Sequence, residues 1–146
     1  MPAKPKPKKV RKLSLFKKDL WKEFALFVKL QRSVDGAWVN CYTCNANLQI
    51  GTSNCHAGHW LPQGGYSGMV FVENNVGPQC YVCNVRYSGN TPVFEQKLRE
   101  EIGDAEVDAM YLDRRQSGKH DRGWYQQKTA HYKHQNELLR QKHGHN

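Results

Sequence analysis

A chain of 146 residues with 38% apolar side chains has room for one domain or a small core with arms. It is too poor in apolar residues for a large core, so a staple of some kind is expected. No apolar run approaches the ~18 residues of a membrane helix. The basic N-terminus also lacks the apolar stretch of a secretory signal, so the expected compartment is a reducing cytoplasm.

The net charge of +9 is distributed unevenly. Residues 1–18 hold eight Lys/Arg and no acid, and residues 111–146 hold eight Lys/Arg, three acids and five of the seven histidines. The segment between them keeps six basic and ten acidic residues. Basic ends around a mildly acidic centre suit a polyanion, because each neutralised phosphate adds counterion-release affinity. The alternative is a solvated tail that only aids solubility.

In chain order, residues 1–13 read as a basic disordered arm; the first twelve contain three Pro and six Lys/Arg. Lys4, Lys6, Lys8, Lys9, Arg11 and Lys12 are its candidate DNA contacts. An amphipathic helix follows from about Ser14 to Arg32, with Leu20, Phe24, Phe27 and Val28 on one face and Trp21 and Ala25 beside them as core residues. Asp35-Gly36 stops it. From Ala37 to Val93 the pattern predicts short strands and turns, including a strand at Met69–Val72. Thr91-Pro92 reads as an N-cap and first helical residue of a helix that Gly103 closes, and Asp104 can cap a further helix through Leu112. Residues 113–146 form a basic, His-rich tail, helical from Trp124 to about Gln141. Its Trp124, Tyr125 and Tyr132, interleaved with the candidate DNA contacts Lys128 and Lys133, suit either base stacking or packing against the body.

Cys41-Tyr-Thr-Cys44 and Cys80-Tyr-Val-Cys83 are two CxxC turns. Each turn can aim two sulfurs at one ion, and together they make a closed tetrahedral zinc site with no position left for catalysis. Reduced buried cysteine pairs or a redox CxxC are the competing readings, and the duplication argues against them. Thirty-five residues separate Cys44 from Cys80, more than the ~15–20 of a simple zinc ribbon, so something folded is inserted. The fifth cysteine, Cys55, reads as a small buried apolar residue.

The insertion contains Cys55-His-Ala-Gly-His59-Trp-Leu-Pro62; Asn75 lies five residues before the second CxxC and Asn84 directly after it. This order resembles the His-Asn-His nuclease motif in its four-cysteine form, and is similar to the phage junction-resolving endonuclease VII. Ala57-Gly58-His59, Gln79-Cys-Tyr-Val-Cys-Asn84, Ser88-Gly89-Asn90 and the preceding amphipathic helix more closely resemble the NinG (Rap) family of lambdoid phage recombination endonucleases. The likeness spans about residues 18–112, and the arms match it only in being basic.

The resemblance implies an α+β fold. Its zinc-stapled ββα-metal core, flanked by helices over residues 14–112, has a β-hairpin carrying His59, a loop, and a helix opening near Asn84. It implies a DNA endonuclease in which neutral His59 takes a proton from the attacking water. A divalent ion, Mg²⁺ or Mn²⁺, near Asn84 would neutralise the leaving oxygen. Asn75 would tie the loop that orients the imidazole, or equally be a purely structural turn residue. Asn84 has a C-terminal cap of the zinc turn as its alternative, and Arg86 and Asn90 would contact DNA. Where many relatives carry an Asp metal ligand, this chain has Gly58; His56, Asn90 or His59 itself could replace it. His56 could equally contact DNA or be a solvated side chain. Branched or Holliday-junction DNA, a possible homodimer, and host cytoplasm for a phage-encoded protein complete the implication. A nicking or restriction-type nuclease, or a non-catalytic zinc module that binds nucleic acid, would look much the same locally.

Overall fold

The computed structural model describes residues 1–144. Among these, the elements run α1 (Leu13–Leu30), β1 (Trp38–Asn40), β2 (Asn47–Gln49), β3 (His56–His59), β4 (Val76–Gln79), α2 (Thr91–Ile102), α3 (Asp104–Leu112) and α4 (Arg122–Lys142). Residues 1–12 are exposed and carry no secondary structure.

α1 has no side-chain cap and no acid in its first turn, so its ends contribute little to its stability. Packing holds it instead. Leu20, Phe24, Phe27 and Val28 form one buried stripe, and α4 lies along it, burying Tyr125 and Tyr132 against the same face. Asn136 of α4 donates to the Glu23 carbonyl and carboxylate of α1 at 2.9 and 3.0 Å, which fixes the register of the seam. The segment expected as a tail is therefore an integral layer of the fold. Tyr125 and Tyr132 are core residues that cannot stack on bases.

Two antiparallel strand pairs follow α1. In the first, Trp38 faces Gln49 and Asn40 faces Asn47, and the Cys41–Cys44 turn sits at the closed end. Asn45, in the left-handed region at φ 66°, completes that turn, a conformation Asn tolerates better than most residues. In the second pair His56 faces Gln79 and His59 faces Val76. The Tyr42 N–H donates to the Pro78 carbonyl at 2.6 Å, tying the first cysteine turn to β4.

α2 and α3 pack Phe94, Leu98 and Val107 on Tyr42, Trp60, Leu61 and Met69. Two local expectations are corrected here. Met69–Val72 is not a strand: residues 67–69 form a short 3₁₀ turn and 70–72 a loop, because Met69 is packed against α2 and α3 rather than paired with a neighbouring strand. The residue capping α2 is Asn90, at φ 48°, with Thr91 the first helical residue and Pro92 beside it. α4 starts at Arg122, where the Asp121 carboxylate accepts from the Trp124 N–H at 2.8 Å.

Phe24 is fully buried and its ring lies 5.1 Å from that of Tyr132 and 5.6 Å from that of Phe71. Phe24→Ala should lower the unfolding free energy by about 3–5 kcal/mol, read as a lower urea midpoint at unchanged slope. A loss below about 1 kcal/mol would show that the α1–α4 seam is not a principal core.

Candidate functional site

The sulfurs of Cys41, Cys44, Cys80 and Cys83 all lie within 4.8 Å of one another. Their backbone surroundings suit thiolates: the Cys80 N–H donates to the Cys41 sulfur and the Cys83 N–H to the Cys80 sulfur, both at 3.4 Å. Burial opposes ionisation of Cys41, yet the Cys80 N–H, the Thr43 hydroxyl and the backbone N–H groups of Cys44 and Thr43 bring its thiol down to about 6. Cys44 goes the other way, to about 12, first through burial and then through the sulfurs beside it. Four sulfurs this close cannot all ionise without a cation among them, and the set could hold a zinc ion in a closed site.

Cys55 is buried beside this cluster, and burial pushes its thiol up, as befits a packing residue. Asn90 was expected at the DNA or the catalytic ion. Its side chain instead donates to the Cys83 sulfur at 3.8 Å, a consequence of the left-handed turn that starts α2.

The second cysteine turn continues into a single π-helical turn, Val82–Arg86, rather than a long helix. Asn84 sits in its middle, half-buried, and its Nδ2 donates to His56 Nδ1 at 2.9 Å. His56 Nε2 in turn donates to the Ser53 carbonyl at 2.8 Å. Both ring nitrogens of His56 are thus engaged, and the residue orients the Asn84 amide.

Side chains alternate along β3. His56 and Gly58 face Asn84, whereas Ala57 and His59 face α1. The His59 ring is half-buried and stacked on Trp21, with centroids 5.3 Å apart and planes 18° from parallel. Its Nε2 donates to the Val70 carbonyl at 3.1 Å, which leaves Nδ1 as the nitrogen with a lone pair. Burial holds the imidazole below its ordinary value of 6.5 despite that hydrogen bond, so the ring is neutral at pH 7. The His59 ring on β3 thus faces α1, the Asn84 amide of the π turn faces His56 and Gly58, and the two side chains share no hydrogen bond. Trp21, expected as plain core, is the wall that fixes the His59 ring.

Asn75 is fully buried. Its oxygen accepts from the Leu61 N–H at 2.7 Å, and its Nδ2 donates to the Leu61 and Met69 carbonyls at 3.0 Å. The amide clamps both ends of the loop that presents the Val70 carbonyl to His59.

A cleft of about 650 Å³ opens beside Trp21 and Val70. Lys17, Lys18 and Lys22 line it from α1, and Trp124 from α4. Lys128 projects over Trp124, 5.8 Å from the ring, while Lys133 and Arg86 are exposed elsewhere. In the arm, Arg11 pairs with Asp19 at 2.6 Å; Lys4, Lys6, Lys8, Lys9 and Lys12 are exposed. The three α1 lysines escaped the sequence reading because helix periodicity marks which face is buried, not which cleft the opposite face borders.

A closed four-thiolate zinc site carries folding free energy. The purified chain should contain a single zinc, and a strong chelator should abolish the cooperative thermal transition of its centre. A transition that survives complete zinc removal would contradict this.

The family model described as Bacteriophage Lambda NinG protein matches residues 2–142. Protein ninG of Salmonella phage P22 is 31% identical over 110 residues, which are 72% of this chain and 51% of that relative. The chain thus spans about half the length of the curated relative it matches. No solved structure is similar enough to match. With residues 2–142 covered by one family model and the CxxC, Ala57-Gly58-His59 and Asn84 elements in place, the chain belongs to the bacteriophage lambda NinG family.

Proposed function

We propose that this chain is a metal-dependent DNA endonuclease that cuts branched DNA in phage recombination, with zinc in the four-thiolate cluster as a structural staple. The observation that carries the reading is the arrangement around β3. A neutral, immobilised imidazole with one free nitrogen stands at His59, one residue along the strand from Gly58. The histidine-held Asn84 amide turns its oxygen toward Gly58, so one phosphodiester laid over that end of β3 meets both.

Hydrolysis of a phosphodiester needs a base for the attacking water and positive charge at the leaving oxygen. His59 Nδ1 takes the proton from water; the Val70 carbonyl and the Trp21 ring hold the imidazole in place while it does so. Asn84 Oδ1 is an oxygen ligand of the hard type that suits Mg²⁺ or Mn²⁺. Such an ion, when bound, stabilises the charge that grows on the leaving 3′ oxygen. Exposed Arg86, two residues on, suits a phosphate contact. The lysine-lined cleft on the Trp21 side and the basic arm extend positive charge away from His59, in keeping with a duplex or junction arm laid across the strand. Recognition then rests on DNA shape. Symmetric cleavage of a four-way junction would require two copies related by a two-fold axis.

Purified protein incubated with labelled four-way junction and linear duplex, with Mg²⁺ or with EDTA, tests the reading. Mg²⁺-dependent scission preferring the junction is expected, whereas binding without scission would mark a non-catalytic zinc module. Equal scission of both substrates would mark a nicking or restriction-type nuclease. His59→Ala should slow cutting by about 10²–10⁴-fold while zinc content and DNA affinity persist. Because burial depresses the His59 pKa, the base loses its lone pair only once the pH falls below 6.5. The acidic limb of the rate profile should therefore lie below that value, and a limb above it would assign the titration to another group. Deleting residues 1–12 should flatten the salt dependence of DNA binding by at most about six phosphate contacts, each worth a slope of roughly −0.9. An unchanged slope would show the arm to be idle.

A further inference from the structure

Gln79 is fully buried at the end of β4, directly opposite His56 and one residue before Cys80. Its Nε2 donates to the Gly89 carbonyl at 2.7 Å and to the Thr43 hydroxyl oxygen at 3.0 Å. A carbonyl can only accept, so the nitrogen end of the carboxamide is assigned without ambiguity. The Thr43 oxygen, already accepting, turns its own hydrogen toward the Cys41 sulfur 3.5 Å away. The thiolate cluster thereby locks Gln79, and among the described residues its Oε1 has no hydrogen-bond partner.

That oxygen points beneath Gly58. A side chain begun at Gly58 would overlap Gln79 Oε1, with its Cβ 2.7 Å from Gln79 Cδ and 2.8 Å from Asn84 Oδ1. The volume where an acidic residue at position 58 would start is thus filled by the Gln79 carboxamide. Asn84 is oriented with the same rigour. The Ser53 carbonyl accepts the N–H of His56 Nε2, and His56 Nδ1 accepts an N–H from Asn84 Nδ2. Asn84 Oδ1 is then left toward Gly58. Two amide oxygens, each left there by the hydrogen bond at the nitrogen end of its amide, lie within 2.8 Å of the Cβ position of Gly58 with no donor assigned between them. A buried oxygen without a donor, set beside a second amide oxygen, is unfavourable unless a cation or a donor joins them.

We propose that Gln79 Oε1 is a ligand of the divalent cation together with Asn84 Oδ1, and takes the place of the carboxylate that Gly58 cannot supply. This rests on the endonuclease reading for the cation itself. Both ligands are neutral, so the cation is held weakly by the free protein and needs DNA phosphate oxygens to complete its shell. Loading of the ion is thereby coupled to DNA binding.

The test uses the full-length, zinc-loaded chain titrated with Mn²⁺. Free Mn²⁺ is followed by electron paramagnetic resonance, the thermal midpoint is recorded at each concentration, and zinc content is checked throughout. Gln79→Glu preserves side-chain length and adds charge but gives up the donors to the Gly89 carbonyl and Thr43, so it is compared with the parent only as protein that keeps its zinc and its cooperative transition. There it should tighten Mn²⁺ binding at least about tenfold, with a larger Mn²⁺-dependent rise in midpoint. Gln79→Leu should weaken or abolish Mn²⁺ binding at unchanged zinc content. If the leucine variant loses its cooperative transition, the glutamate variant decides alone. Gln79→Glu with no gain in Mn²⁺ affinity, alongside Asn84→Asp with a clear gain, would overturn the role of Gln79 and leave the cation at Asn84 standing. No gain from either variant would overturn the proposal together with the cation reading on which it rests.

Discussion

The thiolate cluster is the constraint from which the rest of the centre follows. Two CxxC turns, 35 residues apart in sequence, bring their sulfurs within 4.8 Å, and that closure fixes where β4 ends and where the π turn carrying Asn84 begins. Strand pairs of three and four residues have almost no independent stability, so the sheets here depend on what clamps them. The N–H···S bonds from Cys80 and Cys83, and the Thr43–Gln79–Gly89 relay, extend the clamp into the strand beside the site. A site built on such short strands gains its precision from these second contacts rather than from strand pairing.

The period-two geometry of β3 divides the site into halves with different physics. On the α1 side, aromatic surface and burial keep His59 neutral, which a proton acceptor requires. On the other side, the amide oxygens of Gln79 and Asn84 gather around Gly58. One strand carries a half-buried imidazole on its α1 side and borders a polar oxygen cluster on the other. The long helices on the first side give the His59 ring a rigid wall, and the cysteine turn gives the amides a rigid floor.

Legibility followed the range of the interactions. The stripe Leu20–Phe24–Phe27–Val28 gave α1 because helix periodicity is local, and the two CxxC turns gave the metal cluster because ligand spacing is local. Met69–Val72 misled because a run of apolar residues cannot say whether it will pair as a strand or pack its side chains under helices, as it does here. The basic C-terminal segment read as a tail because its charges outnumber its apolar residues. Yet Tyr125, Tyr132 and Asn136 suffice to seat it on α1.

The spacing of the cysteines along the chain already determined that two turns could close on one ion, since that spacing is a matter of covalent sequence and turn geometry. It also determined that charge gathers at the ends. Only tertiary structure decided what each group can do. Hydrogen-bond direction is set by partners distant in sequence: Val70 assigns the His59 tautomer, His56 turns Asn84, and Gly89 with Thr43 turns Gln79. Gly58 shows the difference most clearly. In the sequence it is a missing carboxylate; in the fold it is the one residue small enough to let an amide oxygen from β4 occupy that place.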